Sequence, residues 1–177
     1  MRVLHVLDHS IPLHSGYTFR TRSILREQRA LGWETFHITG AKQGETAALE
    51  ETVDGLHFYR TPASTSSLSR LPLLNQKDVI DGLARRLAEI IPQVKPDVLH
   101  AHSPSLNAIA ALRAGKRFRI PVVYEVRAFW EDAAVDHGTA SENGLRYKLT
   151  RALETYALKQ ADAVTTICEG LRKDIVA

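Results

Sequence analysis

Three stretches carry side chains that an ordinary strand-to-helix connector does not need. They are "LDHSIPLHSGYTF" (residues 7–19), "DVLHAHSPS" (97–105) and "VYEVRAFWED" (123–132). In the first, Gly16 stands just before a helical pattern. A glycine there lets a ligand come close to the backbone, and the first-turn N–H groups of a helix are unpaired and carry partial positive charge. That suits a phosphate. Ser15, Gly16, Tyr17 and Arg20 are the candidates for holding it, with His14 a candidate for a neighbouring sugar or acceptor. Asp8, His9, Ser10, His14 and Ser15 offer hydrogen bonds that fit sugar hydroxyls, or they are polar loop filler. Neither G-x-G-x-x-G nor G-x-x-x-x-G-K-[ST] occurs here, which argues against dinucleotide and P-loop nucleotide binding.

In the second stretch, His100 and His102 are expected on opposite sides of one strand, His100 packed against a helix layer and His102 at the strand's end. His102 is the candidate catalytic residue. Zinc is not expected, because the pair has no cysteine or third ligand at a metal spacing nearby. In the third stretch, Glu125 and Arg127 share a side at period two, and such a pair must be mutually satisfied or used by a ligand. Glu131 and Asp132 fit the start of a helix, where acids are favoured. Tyr17 and Tyr59 could meet a sugar, although aromatic residues at such places are more often core.

The elements that must position these residues alternate along the chain. "RVLHVL" (2–7), "ETFHIT" (34–39), "LHFYRT" (56–61), "DVLHAH" (97–102), "IPVVYEV" (120–126) and "DAVTTI" (162–167) read as short strands. Between them, "YTFRTRSILREQRALG" places Phe19, Ile24, Leu25 and Leu31 on one side and stops at Gly32, while Arg22, Arg26 and Arg29 share a solvated face. "KDVIDGLARRLAEIIPQV" repeats Val79, Leu83, Leu87 and Ile90 or Ile91 at helical spacing. Residues 62–75 and 128–144 break the rhythm as loops rich in turn formers. Strand alternating with helix implies a doubly wound α/β domain with a mostly parallel sheet and helices on both faces. In such sheets ligands bind beyond the carboxyl ends of the strands, where all three stretches lie.

The totals set the frame. A chain of 177 residues holds one well-buried domain, residues 1–177. Lys plus Arg number 23 against 20 Asp plus Glu, a net +3 too small to argue for nucleic acid. The lone Cys168, the absence of an apolar run of membrane-span length and the missing secretory h-region point to the cytoplasm.

With these residues in view, the chain resembles the N-terminal domain of a family-4 retaining glycosyltransferase of the GT-B type. "ALGWETFHIT" (30–39) is similar to the family's "rGheV" turn into strand two. "DVLHAHSP" (97–104), "IPVVYEV" (120–126) and "ADAVTTICEGLRKDI" (161–175) follow in the family's order. "LDHSIPLHSGYTFRTRSILREQRALGWETFHIT" (7–39) resembles more narrowly the glycosyltransferases of exosortase and exopolysaccharide loci. The resemblance implies transfer of a sugar from a nucleotide-sugar donor to a carbohydrate or lipid-linked glycan acceptor, with retention, without metal or other cofactor. It implies that Gly16 meets the donor diphosphate and that His102 lines the cleft. Arg127 stands where many relatives have histidine, either to grip an anionic acceptor or to pair with Glu125. The family's C-terminal domain, with its basic pair and E-x7-E carboxylates, has no counterpart in these residues, so half an enzyme is expected. Arg60, Arg70 and the arginines of the first helix either form a solvated basic surface or meet an anionic membrane on its cytoplasmic side. A phosphate-binding module and a GT-B-shaped nucleotide-sugar epimerase are the competing readings.

Overall fold

The computed structural model describes residues 1–44, 48–63, 72–129 and 144–176. Its strands are β1 (Arg2–Leu7), β2 (Glu34–Thr39), β3 (Glu50–Val53), β4 (Leu56–Arg60), β5 (Val98–His102), β6 (Val122–Val126) and β7 (Ala163–Thr166), in the sheet order β3-β4-β2-β1-β5-β6-β7. β3 runs antiparallel to β4, and the other pairings are parallel. The helices are α1 (Gly16–Ala30), α2 (Pro72–Val94), α3 (Ser105–Phe118), α4 (Leu145–Gln160) and α5 (Glu169–Val176). Each of the six expected strands is present, shortened by up to two residues at its ends.

The seventh strand, β3, was not expected, since "EETV" is short and half of it is glutamate, which strands disfavour. A turn makes it. Asp54 and Gly55 both take positive φ, 50° and 73°, as a two-residue hairpin loop of primed type requires. Glu131, Asp132, Trp130 and Arg70 lie outside the described residues.

The two faces of the sheet differ in chemistry. One presents Leu4, Val6, Ile38, Leu99, Ala101, Val122, Tyr124 and Val126 to α2, α3 and α4 in a continuous apolar core. Leu83, Leu87 and Ile90 of α2 are fully buried there at the expected helical spacing. α3 comes close enough that a Cβ on Gly115 would lie 2.7 Å from both Ile120 O and Val122 Cγ2, so this position admits only glycine without movement.

The other face carries His5, His37, His102, Glu125 and Arg127, all buried, and His100. Its cover is α1, which buries Thr18, Thr21 and Leu25. This corrects the expected apolar stripe: Phe19 and Leu31 are 51% and 72% exposed. A helix on a hydrogen-bonding surface turns its hydroxyls and amide inward, and apolar periodicity then reports the wrong side. Gly32 ends α1 at φ 79°, as its position after the pattern predicts. Among the described residues no helix is long and apolar enough to cross a membrane.

Candidate functional site

β1 has β2 on one side and β5 on the other, so the chain reverses its direction of growth between β1 and β5. The connections leaving such neighbours turn away from each other and open a crevice at their carboxyl ends. Residues 8–15 and 103–104 flank it, with Arg127 beside them just past the end of β6.

The loop after β1 is internally bonded. Asp8 Oδ2 lies 3.0 Å from His9 Nδ1, and His9 Nε2 lies 2.8 Å from Ser15 Oγ. Ser15 is the N-cap of α1, its Oγ accepting the Thr18 N–H at 3.1 Å. Ser10 N–H donates to Gln43 Oε1 at 2.8 Å, and Arg60 donates to Ser10 Oγ at 2.6 Å and Ile11 O at 2.9 Å. Arg60 is wholly buried and paired with Glu51. The expectation that Arg60 faces a membrane is therefore corrected: it bolts the loop to β4. The cost of burying its charge is offset because Glu51 and three oxygens surround it.

Gly16, by contrast, is exposed, and a Cβ built there would meet nothing within 4 Å. His14 is exposed and leans on Phe19, ring centres 5.6 Å apart. Tyr17 is enclosed. Its ring stacks on His9 at 4.7 Å and lies under the Arg127 guanidinium at 4.1 Å, its hydroxyl accepts the Asp8 N–H at 2.9 Å, and burial pushes the phenol well above its ordinary pKa. Tyr59 sits on β4 against the apolar core, away from the crevice.

Behind the loop runs a buried polar chain. His100 and His102 are on the same side, ring centres 4.2 Å apart, contrary to the expected opposition. Strand side chains repeat at period two, so residues i and i+2 share a face. His102 sits opposite Glu125 and His5 opposite His100 in the strand registers. Arg127 donates to Glu125 Oε1 at 2.9 Å and to His102 Nδ1 at 2.6 Å; Arg20 reaches the same Glu125 oxygen at 3.1 Å. Of the two expectations for Arg127, pairing with Glu125 is what the structure shows. Burial pushes the Glu125 carboxyl up, but His100, Arg127 and Arg20 outweigh it and hold the pKa at about 2. Burial holds His102 and His5 well below 6.5, helped in each case by His100.

The fold supplies the third histidine that local spacing lacked: nitrogens of His5, His100 and His102 lie within 4.8 Å of one another. Their hydrogen bonds leave little for a cation. A guanidinium can only donate, so His102 accepts at Nδ1 and carries its proton on Nε2. From there it donates to His5 Nδ1 at 2.9 Å, and His5 donates from Nε2 to Gln28 Oε1 at 2.8 Å. His102 and His5 thus have both nitrogens engaged, and a metal would have to compete with Arg127 for His102. The donor set fits a proton-ordered network better than an ion.

His5, Gln28 and Thr21 were not singled out from the sequence. A signal existed for the first: His5, His37 and His100 each stand between two apolar neighbours in mid-strand, and parallel strands stack such interruptions side by side.

Comparison with known proteins follows this geometry. The glycosyl transferase 4-like domain matches residues 15–177. Sulfoquinovosyl transferase SQD2 of Arabidopsis thaliana is 27% identical over 111 residues, 62% of this chain and 19% of that protein. Sucrose-phosphate synthase of Thermosynechococcus elongatus superposes with a TM-score of 0.65 at 15% identity, over 93% of this chain and 42% of that one. UDP-N-acetylglucosamine 2-epimerase of Rickettsia bellii does so with 0.62 at 12% identity, over 99% of this chain and 41% of that one. This chain therefore spans under half the length of each, and the fold is that of the Rossmann-like domains of GT-B glycosyltransferases.

Proposed function

The chain belongs to the glycosyl transferase 4-like domain family, and from that premise we propose that it is the N-terminal, acceptor-side domain of a retaining glycosyltransferase. In this reading a nucleotide-sugar donor lies in the crevice between these residues and a second domain of similar size, which supplies the nucleoside pocket and the cationic clamp. A carbohydrate or lipid-linked glycan, in cell-surface or exopolysaccharide synthesis, accepts the sugar through a hydroxyl. Departure of the diphosphate develops negative charge beside Gly16, where preorganised N–H groups and the start of α1 stabilise it. The departing phosphate takes the acceptor's proton on the same face, so no metal or separate base is called for. His14 and the outward side of Arg20 border the acceptor, and the exposed Arg22 and Arg26 supply the contact with an anionic membrane.

One observation carries the reading. Gly16 opens a helix at the switch point, has ordinary negative φ space available to any residue and has open space where a side chain would be. The fold has no need of glycine there; a ligand approaching the backbone does. In the complete enzyme, Gly16→Val should lower kcat/KM with the nucleotide-sugar donor by ~10²-fold or more, the loss typical of one strong oxyanion donor. Normal kinetics in a well-folded Gly16→Val enzyme would overturn the assignment. An epimerase, whose fold this chain also shares, would interconvert nucleotide sugars with no acceptor present; transfer that depends on an acceptor separates the two.

A further inference from the structure

We propose that Arg127 is the positioning residue of the anion subsite, fastening the first turns of α1 to β5 and β6 so that the N–H groups at Gly16 stay aimed into the crevice. The inference rests on the reading of Gly16 given above. α1 has little apolar anchoring near its start: its buried residues are Thr18, Thr21 and Leu25, Leu25 lies more than two turns beyond Gly16, and Tyr17 packs only in part against Leu7 and its apolar neighbours. Alongside the Asp8–Tyr17 and Arg20–Glu125 hydrogen bonds, Arg127 ties that start to the sheet at several points. Its Nη1 donates to Tyr17 O and to Thr21 Oγ1, both at 3.0 Å, and its plane covers the Tyr17 ring at 4.1 Å. The other edge of the same guanidinium is fixed by Glu125 on β6 and His102 on β5, and its own backbone N–H donates to Ser103 Oγ at 3.2 Å. One planar group thus joins a helix to two strands.

The approach is from the sheet side. Arg127 takes a carbonyl and a hydroxyl, and by helix geometry the N–H groups of Gly16 and Tyr17 point the other way with no earlier turn to bond. Arg127 therefore competes with no anion for those groups. Its charge is also answered at once by Glu125, 2.9 Å away, so its effect on the subsite is geometric. His102, wholly buried with both nitrogens engaged, belongs to the same scaffold and acts through Arg127 rather than on substrate.

Geometry and charge are separable by Arg127→Lys. Lysine keeps the positive charge for Glu125, but a single ammonium cannot span acceptors on α1, β5 and β6 as the guanidinium fork does. The probe is inorganic pyrophosphate, titrated against the 15N-labelled chain and followed at the Gly16 amide. Wild type should show a saturable shift. Arg127→Lys should bind about tenfold more weakly, and Thr21→Val, which removes one acceptor and leaves every charge in place, about threefold. Hydrogen exchange at Gly16, Tyr17 and Thr18 should quicken in both. Leu87→Ala, a core variant on the far face, should bind as wild type does despite its lower stability. Wild-type affinity in Arg127→Lys overturns the proposal, and should that variant not fold, wild-type affinity in Thr21→Val does. If pyrophosphate leaves the wild-type Gly16 amide unmoved, the reading of Gly16 falls and takes this one with it. If wild type binds, Gly16→Val does not and Arg127→Lys binds normally, only the role of Arg127 falls.

Discussion

Arg127 and His102 face each other across β6 and β5 with 2.6 Å between Nη2 and Nδ1, a separation that only a neutral imidazole tolerates. Protonation of that ring would set two cations and two donors against each other inside the protein. Folding and the uncharged state of this histidine are consequently one event.

Acid should therefore unfold the chain earlier than carboxylates alone would. Unfolded, His5, His37 and His102 titrate near 6.5; folded, burial holds His37 at about 4 and the other two well below their ordinary value. The unfolded chain takes up the protons first as pH falls. Stability is thus complete above about 6.5 and lost progressively toward 4, at up to ~1.4 kcal/mol per histidine per pH unit. Glu125 adds a second loss from about 4.5 down to about 2, because its folded pKa is depressed. Urea midpoints measured from pH 7 to pH 5 should fall steeply; a flat profile over that range contradicts the neutral assignment.

Glu125 carries two guanidinium groups and the His100 contact on one buried carboxylate. Glu125→Gln should cost about 3–5 kcal/mol, since it leaves Arg127 charged and unanswered in the interior. Glu125→Leu with Arg127→Met should cost less than the two single changes together. A double-mutant cycle in urea reads the difference, and additive costs would show that the pair is not coupled.

Gly16→Ala should leave the fold as stable or firmer, by up to about 1 kcal/mol, because alanine restricts the unfolded chain and meets no neighbour. A drop in melting temperature would mean that the fold, and not a ligand, requires this glycine.

Gly115→Ala tests the opposite case. Its methyl would strike Ile120 O and Val122 Cγ2 at 2.7 Å, and relief by backbone movement should cost about 1–3 kcal/mol. Equal stability of Gly115→Ala and wild type would show that α3 can slide freely on β6.

The legible part of this molecule is the part governed by grease. Leu83, Leu87, Ile90, Leu99 and Val122 announce their faces by period, and the dry side of the sheet follows from them. The polar side does not announce itself. Thr21 and Gln28 look like surface residues of a helix until His5 and Arg127 are placed beneath them, and those come from strands far apart in sequence. Gly16 and Arg20 could be proposed because the crevice rule gives their location. Glu125 and Arg127 could be paired because they lie two residues apart on one strand. His5 joined neither argument, since only the sheet order brings β1 beside β5. The hairpin at Asp54 and Gly55 was a missed local signal, written plainly as D-G between two strands.

A helix fastened by hydrogen bonds answers to different forces from one fastened by oil. α1 lies on histidines, a carboxylate and a guanidinium, and meets a small apolar cluster of Leu7, Ile11, Leu56 and Phe58 through Tyr17 and Leu25. Lifting it would expose only this small cluster and not the larger core of the other face, so such an opening carries a smaller heat-capacity change and a smaller dependence on urea than unfolding of the domain. α2 and α3, seated on the dry face, open only with the whole domain and so with its full urea dependence. Native-state hydrogen exchange in rising urea should separate the two layers: amides of α1 exchanging with a weaker dependence on denaturant than those of α2 and α3. The side of the domain that carries the crevice is then free to breathe without loosening the side that keeps it folded.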